Sequence, residues 1–124
     1  DNTETLLAVS DLVFIDPVST GYSRAVEGGK PKDYHGFKAD IESVGELIRL
    51  WTTRHNRWLS PKFIAGESYG TIRAAALAEH LQARHGLYVN GLMLISSVLD
   101  LATEMQRQVL TRLTIPIPTP IRIT

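Results

Sequence analysis

One run in this chain has residue types and spacing that point to covalent chemistry: Gly66-Glu67-Ser68-Tyr69-Gly70, a Gly-x-Ser-x-Gly pattern. The pattern suits a serine raised on a tight turn from strand into helix, where the glycines omit side chains that would collide as the backbone folds over itself. The free N–H groups that open the following helix, with the positive end of its dipole, favour an oxyanion forming on an attacked carbonyl. The chemistry implied is acyl transfer, with Ser68 as nucleophile. With glycine and serine each near 7% of average usage, the pattern arises by chance in about 4% of chains this long, so its setting must decide. The bland alternative is a glycine-flanked turn with no chemistry.

The setting agrees with the first reading. Lys62-Phe63-Ile64-Ala65 reads as a short strand before the motif. An alanine-rich helix is predicted from Thr71 to about Arg84, with Ile72, Ala75, Ala76 and Leu81 as its buried stripe and Gly86 as its stop. Two further apolar runs, Leu12-Val13-Phe14-Ile15 and Gly91-Leu92-Met93-Leu94-Ile95-Ser96, read as buried strands. Phe37, Ile41, Val44, Ile48, Trp51 and His55 recur at steps of three or four, and Leu47, Leu50 and Trp58 widen that stripe. This predicts an amphipathic helix of about 20 residues, with Asp40, Glu42 and Glu46 early and Arg54 and Arg57 late, as its dipole favours. Strands alternating with helices imply right-handed crossovers and a parallel sheet covered on both faces. The fold class expected is therefore α/β, a parallel sheet with flanking helices, in a single domain over residues 1–124.

Composition narrows the function classes. The chain has 124 residues, 44% of them hydrophobic, and a formal net charge of zero. That is enough apolar material for a core, and it leaves no basic footprint for nucleic acid. Arg54, His55 and Arg57 read as a solvated helix end. With no cysteine, the chain has no disulfide, thiolate metal site or cysteine nucleophile. No metal or organic cofactor is implied. No apolar run approaches the roughly 18 residues of a membrane span. The first residues lack the basic start and apolar run of a signal peptide, and there is no initiator Met, so a processed or truncated chain is expected.

Two motifs together carry a family resemblance. Asp16-Pro17-Val18-Ser19-Thr20-Gly21-Tyr22-Ser23, after an apolar run, is similar to the Asp-x-Pro-Val-Gly-x-Gly-Phe/Tyr-Ser segment of the serine carboxypeptidases. Gly66-Glu67-Ser68-Tyr69 resembles their Gly-Glu-Ser-Tyr nucleophile segment, and Asn90-Gly91 with its apolar run resembles the segment that follows their nucleophile helix. The match runs from about Leu6 to Asp100 and is nearest the bacterial branch. It implies a central part of an α/β-hydrolase fold and cleavage of a C-terminal peptide bond or an ester through an acyl-enzyme on Ser68. By the same resemblance, the Tyr69 backbone N–H is one oxyanion donor, and Gly66 and Glu67 belong to substrate binding. Glu67 would hold the substrate's C-terminal carboxylate, a role that calls for burial beside a second acid. The plainer alternative is that Glu67 braces the turn. A carboxylesterase or acyltransferase on the same scaffold, or a catalytically incomplete fragment, are the rival readings.

The departures from the family are specific. Its Asn-Gly-Gly-Pro-Gly segment, its catalytic aspartate and its catalytic histidine have no counterpart in the 124 residues, and Ser19 stands where glycine is usual. Residues 103–124 diverge altogether and end in Thr-Ile-Pro-Ile-Pro-Thr-Pro-Ile-Arg-Ile-Thr, whose prolines forbid a helix or a central strand. Leu101 to Leu113 can form a helix. Of the four histidines, His80 and His85 lie roughly 18 Å or more along the helix from Ser68, at about 1.5 Å per residue. His55 reads as a helix cap. His35, in the loop before the first helix, is the candidate base from within the chain. Asp100, after the last strand, is the candidate acid, against the plainer role of capping the next helix. Asp16 reads as a residue that fixes its loop. The expected partner is a peptide or ester substrate, with no nucleic acid and no membrane. A truncated parallel sheet also exposes an edge, so a homo-oligomer is expected, edge pairing being one route to it.

Overall fold

The computed structural model describes residues 2–97. Within them two α-helices, α1 (Phe37–Arg54) and α2 (Tyr69–His85), alternate with two strands, β1 (Phe63–Glu67) and β2 (Gly91–Ile95). Two short 3-10 turns, Leu6–Ala8 and Pro31–Tyr34, precede α1. The strands pair in parallel, from Phe63 opposite Gly91 to Glu67 opposite Ile95, and α2 is the crossover between them. The class is mixed α/β, as expected.

Each helix ends where its sequence stops supplying helix. At the end of α1 the His55 ring stacks on Trp51, centroids 4.2 Å apart, and its Nδ1–H donates to the Trp51 carbonyl at 2.9 Å. That bond assigns the proton to Nδ1, because a carbonyl can only accept. The capping role read for His55 thus has its geometry. α2 ends at Gly86, whose φ of +62° is open to glycine at no steric cost. The chain then turns so that Leu87, only 2% exposed, drops into the core.

The core lies where α1 crosses α2: Ile41 and Val44 meet Leu77, Leu81 and Leu87, and Ile15, Ile48, Ile64, Ala76 and Val89 pack around them. Burying each of the five central side chains contributes about 1.5–3 kcal/mol. α2 also packs on both strands and shields one face of the sheet, while α1 packs on α2.

Several expectations need correction. Leu12-Val13-Phe14-Ile15 forms no strand among the described residues; Ile15 joins the core edge, while Phe14 is 89% exposed. A strand exists only with a ladder partner, and among the described residues β1 and β2 pair only with each other. The run at β2 is a strand but is not buried: Leu92 to Ile95 are all exposed, Ile95 by 54%. The sheet is therefore covered on one face rather than two by the described residues. On α2 the buried residues are Thr71, Ala74, Leu77 and Leu81, and Ala75 points to solvent. The stripe is rotated by about one residue from the expected phase, because alanine-rich stretches carry little contrast between faces. On α1, Leu47 and Leu50 are exposed, as is Trp58 beyond its end, whereas Asp40, Gly45 and Thr52 are buried. The helix expected over 101–113, the proline-rich end and Asp100 lie outside the described residues.

Candidate active site

Ser68 sits between the last residue of β1 and the first of α2, with φ +52° and ψ −119°. A non-glycine residue in such a conformation costs on the order of 1–3 kcal/mol and persists only where its surroundings over-determine it. They do so here from both sides. The Ser68 N–H donates to the Ile95 carbonyl at 3.0 Å, which extends the β1–β2 ladder by one bond. The Ser68 carbonyl accepts from the Thr71 N–H at 3.0 Å and from the Thr71 Oγ1 hydroxyl at 2.7 Å. Thr71, 2% exposed, is thus a structural clamp on the turn.

Gly66 explains half of the motif. A Cβ there would fall on the Gly70 carbonyl and within 2.9 Å of the Thr71 nitrogen. These are backbone atoms that cannot rotate aside, so the turn excludes every side chain at 66. Gly70 differs: a Cβ there meets nothing among the described residues. Steric collision therefore demands glycine at 66, as expected, but not at 70 among the described residues.

Ser68 is the N-cap of α2, yet its hydroxyl makes no capping bond. Serine at this position ordinarily bonds an N–H of the first turn. With φ positive the side chain is swung out of that role, and Ser68 is exposed. The Tyr69 and Gly70 N–H groups, which a helix cannot satisfy internally, make no hydrogen bond to a described residue. An exposed hydroxyl beside amides with no partner among the described residues, at a helix N-terminus, could stabilise an oxyanion; attack on a carbonyl would need a base in addition.

Behind this turn lies a network the sequence did not disclose. Arg73 Nε donates to Asp40 Oδ2 at 2.7 Å, joining α2 to α1. Asp40 is 7% exposed, so its charge is buried against this partner. The Arg73 guanidinium also lies 5.2 Å from the centroid of the Tyr69 ring, within cation–π range. Asp40 reads in the sequence as a first-turn dipole residue, and a separation of 33 positions offers no local signal for the pair. The one available hint is charge on an otherwise apolar helix face.

The other expected site residues are placed as follows. His35 caps the Pro31–Tyr34 turn, and its Nε2 lies 3.0 Å from Ser19 Oγ. No hydrogen bond joins it to Ser68 among the described residues. His80 packs its ring on Gly45 of α1, where an added Cβ would come within 2.7 Å of His80 Cδ2, and it meets the His85 ring edge-on at 5.5 Å. Both belong to the helix packing at the far end of α2. Asp16 fixes its loop, as expected: its Oδ2 accepts the Tyr22 N–H at 3.1 Å. Glu67 is exposed at the end of β1, so the described residues do not supply the burial that carboxylate binding would call for. Arg57, read as part of a solvated helix end, is exposed and pairs with Asp11 at 2.6 Å, holding the Asp11 carboxyl below its usual range. Among the described residues no cluster of His, Cys, Asp and Glu could hold a metal, and no helix is long and apolar enough to cross a membrane.

No family model, no curated protein and no solved structure matches this chain. The functional reading rests on its residues and their geometry.

Proposed function

We propose that this chain carries the nucleophile segment of a serine hydrolase of the serine carboxypeptidase type, acting through an acyl-enzyme on Ser68. The observation that carries the reading is the conformation of Ser68. A positive φ at a strand-to-helix junction, held by Ile95 and Thr71, exposes the hydroxyl next to the free Tyr69 and Gly70 amides. In the reaction Ser68 Oγ attacks the carbonyl carbon of a peptide or ester and a base takes the hydroxyl proton. The oxyanion collects on the Tyr69 amide, and the leaving amine or alcohol departs with a proton returned by the base. No metal or organic cofactor enters this scheme.

A second reading has its own support. Among the described residues no histidine is hydrogen-bonded to Ser68, and a serine without a base loses several orders of magnitude in rate. On this reading the chain holds a nucleophile turn whose base comes from elsewhere, either a neighbouring molecule or a longer polypeptide. A carboxylesterase or acyltransferase preference would use the same turn and differ only in the pocket.

Labelling with a fluorophosphonate serine probe separates these possibilities. Wild type and Ser68→Ala are treated side by side and the adduct is located by mass spectrometry. Adduct on Ser68 in the wild type, absent from the variant, supports the hydrolase reading. A folded protein that takes up no label is the outcome that sinks autonomous activity.

A further inference from the structure

A second concave feature lies at the opposite end of the sheet from Ser68. β1 and β2 run parallel, so the segments entering them lie side by side, and Asn90 fastens the two together. Its backbone N–H donates to the Lys62 carbonyl at 2.7 Å, and its Oδ1 accepts the Lys62 N–H at 2.8 Å. Between residues 58–62 and 86–90 is a cavity of about 290 Å³. The strands, at about 3.3 Å per residue, separate it from the Ser68 turn by roughly 16 Å. The cavity is therefore distinct from the candidate active site.

Its polar groups are one-sided. Lys62 Nζ donates to the Trp58 carbonyl at 2.7 Å and to the Ser60 carbonyl at 2.8 Å, which holds the ammonium in place and leaves its third N–H free. Among the described residues no carboxylate pairs with it. Burial pushes its pKa down from the ordinary lysine value, the mark of a cation lacking a counter-charge. Because Asn90 spends its Oδ1 on the Lys62 amide, the free end of its side chain is the NH₂ donor. Most of the remaining lining is apolar, Trp58, Leu87 and Tyr88 among it; Ser60 adds a hydroxyl, and Tyr88 is exposed at the open side. The Trp58 indole N–H is tied to Thr53 Oγ1 at 3.1 Å, so the ring is held.

A fixed cation and an amide donor, beside an open hollow that Trp58 and Tyr88 help to line, complement a ligand with an acceptor-only anionic head and a flat apolar body. We propose that this cavity binds a small aryl carboxylate, its carboxylate on Lys62 Nζ and Asn90 Nδ2 and its ring between Trp58 and Tyr88. A carboxylate supplies the missing counter-charge in charge-assisted hydrogen bonds. The aromatic side chains supply apolar contact that an inorganic anion could not use. The proposal is independent of the chemistry at Ser68.

The test uses the full chain and two probes of nearly equal shape, 2-naphthoate and its neutral analogue 2-naphthamide, followed by nuclear magnetic resonance. The expected result is a saturable shift of the Trp58 indole and Asn90 side-chain amide resonances by naphthoate, with a Kd on the order of 1 mM, typical of a ligand this size. Naphthamide should bind at least about tenfold more weakly, the worth of a hydrogen bond to a charged group. Equal binding of the two probes would show an apolar crevice with no role for Lys62 and overturn the proposal. Shifts confined to the amides around Ser68, or no saturable shift at either resonance, would overturn it equally. The comparison needs no substitution at Lys62, whose bonds to Trp58 and Ser60 also hold the local chain.

Discussion

Ser19 and Ser68 share an uncommon backbone feature, a positive φ of +72° and +52° respectively, and otherwise contrast at every point. Ser19 lies in a loop closed by its own hydrogen bonds, Thr20 to Pro17, Ser23 to Thr20 and Ser19 to Ser23. It has a histidine at 3.0 Å but no helix start beside it. Ser68 stands at a strand-to-helix junction with two free amides next to it, yet no described histidine is bonded to it. Among the described residues, one serine has a histidine beside it and no helix start, and the other has a helix start beside it and no histidine. The difference teaches that strain and a polar neighbour do not make a nucleophile. What separates the two is the scaffold: a β-ladder on one side and a helix N-terminus on the other, converging on a single residue.

The labelling experiment is the sharpest way to break this comparison, since it reports which of the two serines, if either, is activated. We expect Ser68 to take all of it, with Ser68→Ala abolishing the signal and Ser19→Ala leaving it unchanged. Adduct on Ser19, lost in His35→Gln, would reverse the ranking of the two turns.

Next in size is the effect of Gly66. Gly66→Ala should destabilise by about 3 kcal/mol or more, because its Cβ meets backbone that cannot yield. Gly70→Ala should stay within about 0.5 kcal/mol of wild type, because its Cβ meets open space. Urea unfolding of the pair reads this directly, and similar midpoints for both variants would mean the turn is looser than described. Asp40→Ala should cost about 3 kcal/mol by leaving Arg73 unpaired in a largely buried place. A change below 1 kcal/mol in the same assay would show that the pair is solvated and does not hold the helices together.

The smallest expected effect concerns the strain itself. Ser68→Gly and Ser19→Gly should each gain about 1 kcal/mol, because glycine accepts a positive φ without penalty. Calorimetry that finds a gain at Ser19 and a loss at Ser68 would mean that the Ser68 side chain makes a stabilising contact in the folded chain.

Reading the residues alone located the helices well, because their signals are local. The apolar spacing of Ile41, Val44 and Ile48 and the stop at Gly86 act within a turn or two of chain. α1 and α2 begin and end within a few residues of expectation. The strand–turn–helix frame around Ser68 was legible for the same reason, since glycine spacing and an apolar run are short-range patterns. The strands were less so. Leu12-Val13-Phe14-Ile15 and Gly91-Leu92-Met93-Leu94-Ile95 look alike in composition, and among the described residues only the second has a partner. Pairing is a property of two segments, and no single segment encodes it.

The amino-acid sequence by itself determined that a serine would stand between a strand and a helix, flanked by glycine, in a chain without cysteine chemistry. The tertiary structure alone decided the rest. It brought Asp40 of α1 to Arg73 beside Tyr69, turned His35 to Ser19, and left one face of the sheet open among the described residues. It also set the Lys62 ammonium into a cavity between two loops far apart in the chain. Asp40 and Arg73 lie 33 positions apart, and Ser19 and His35 lie 16 apart. Which distant side chains meet is settled by how α1 and α2 pack, because apolar burial rewards many registers and only the packed arrangement selects one.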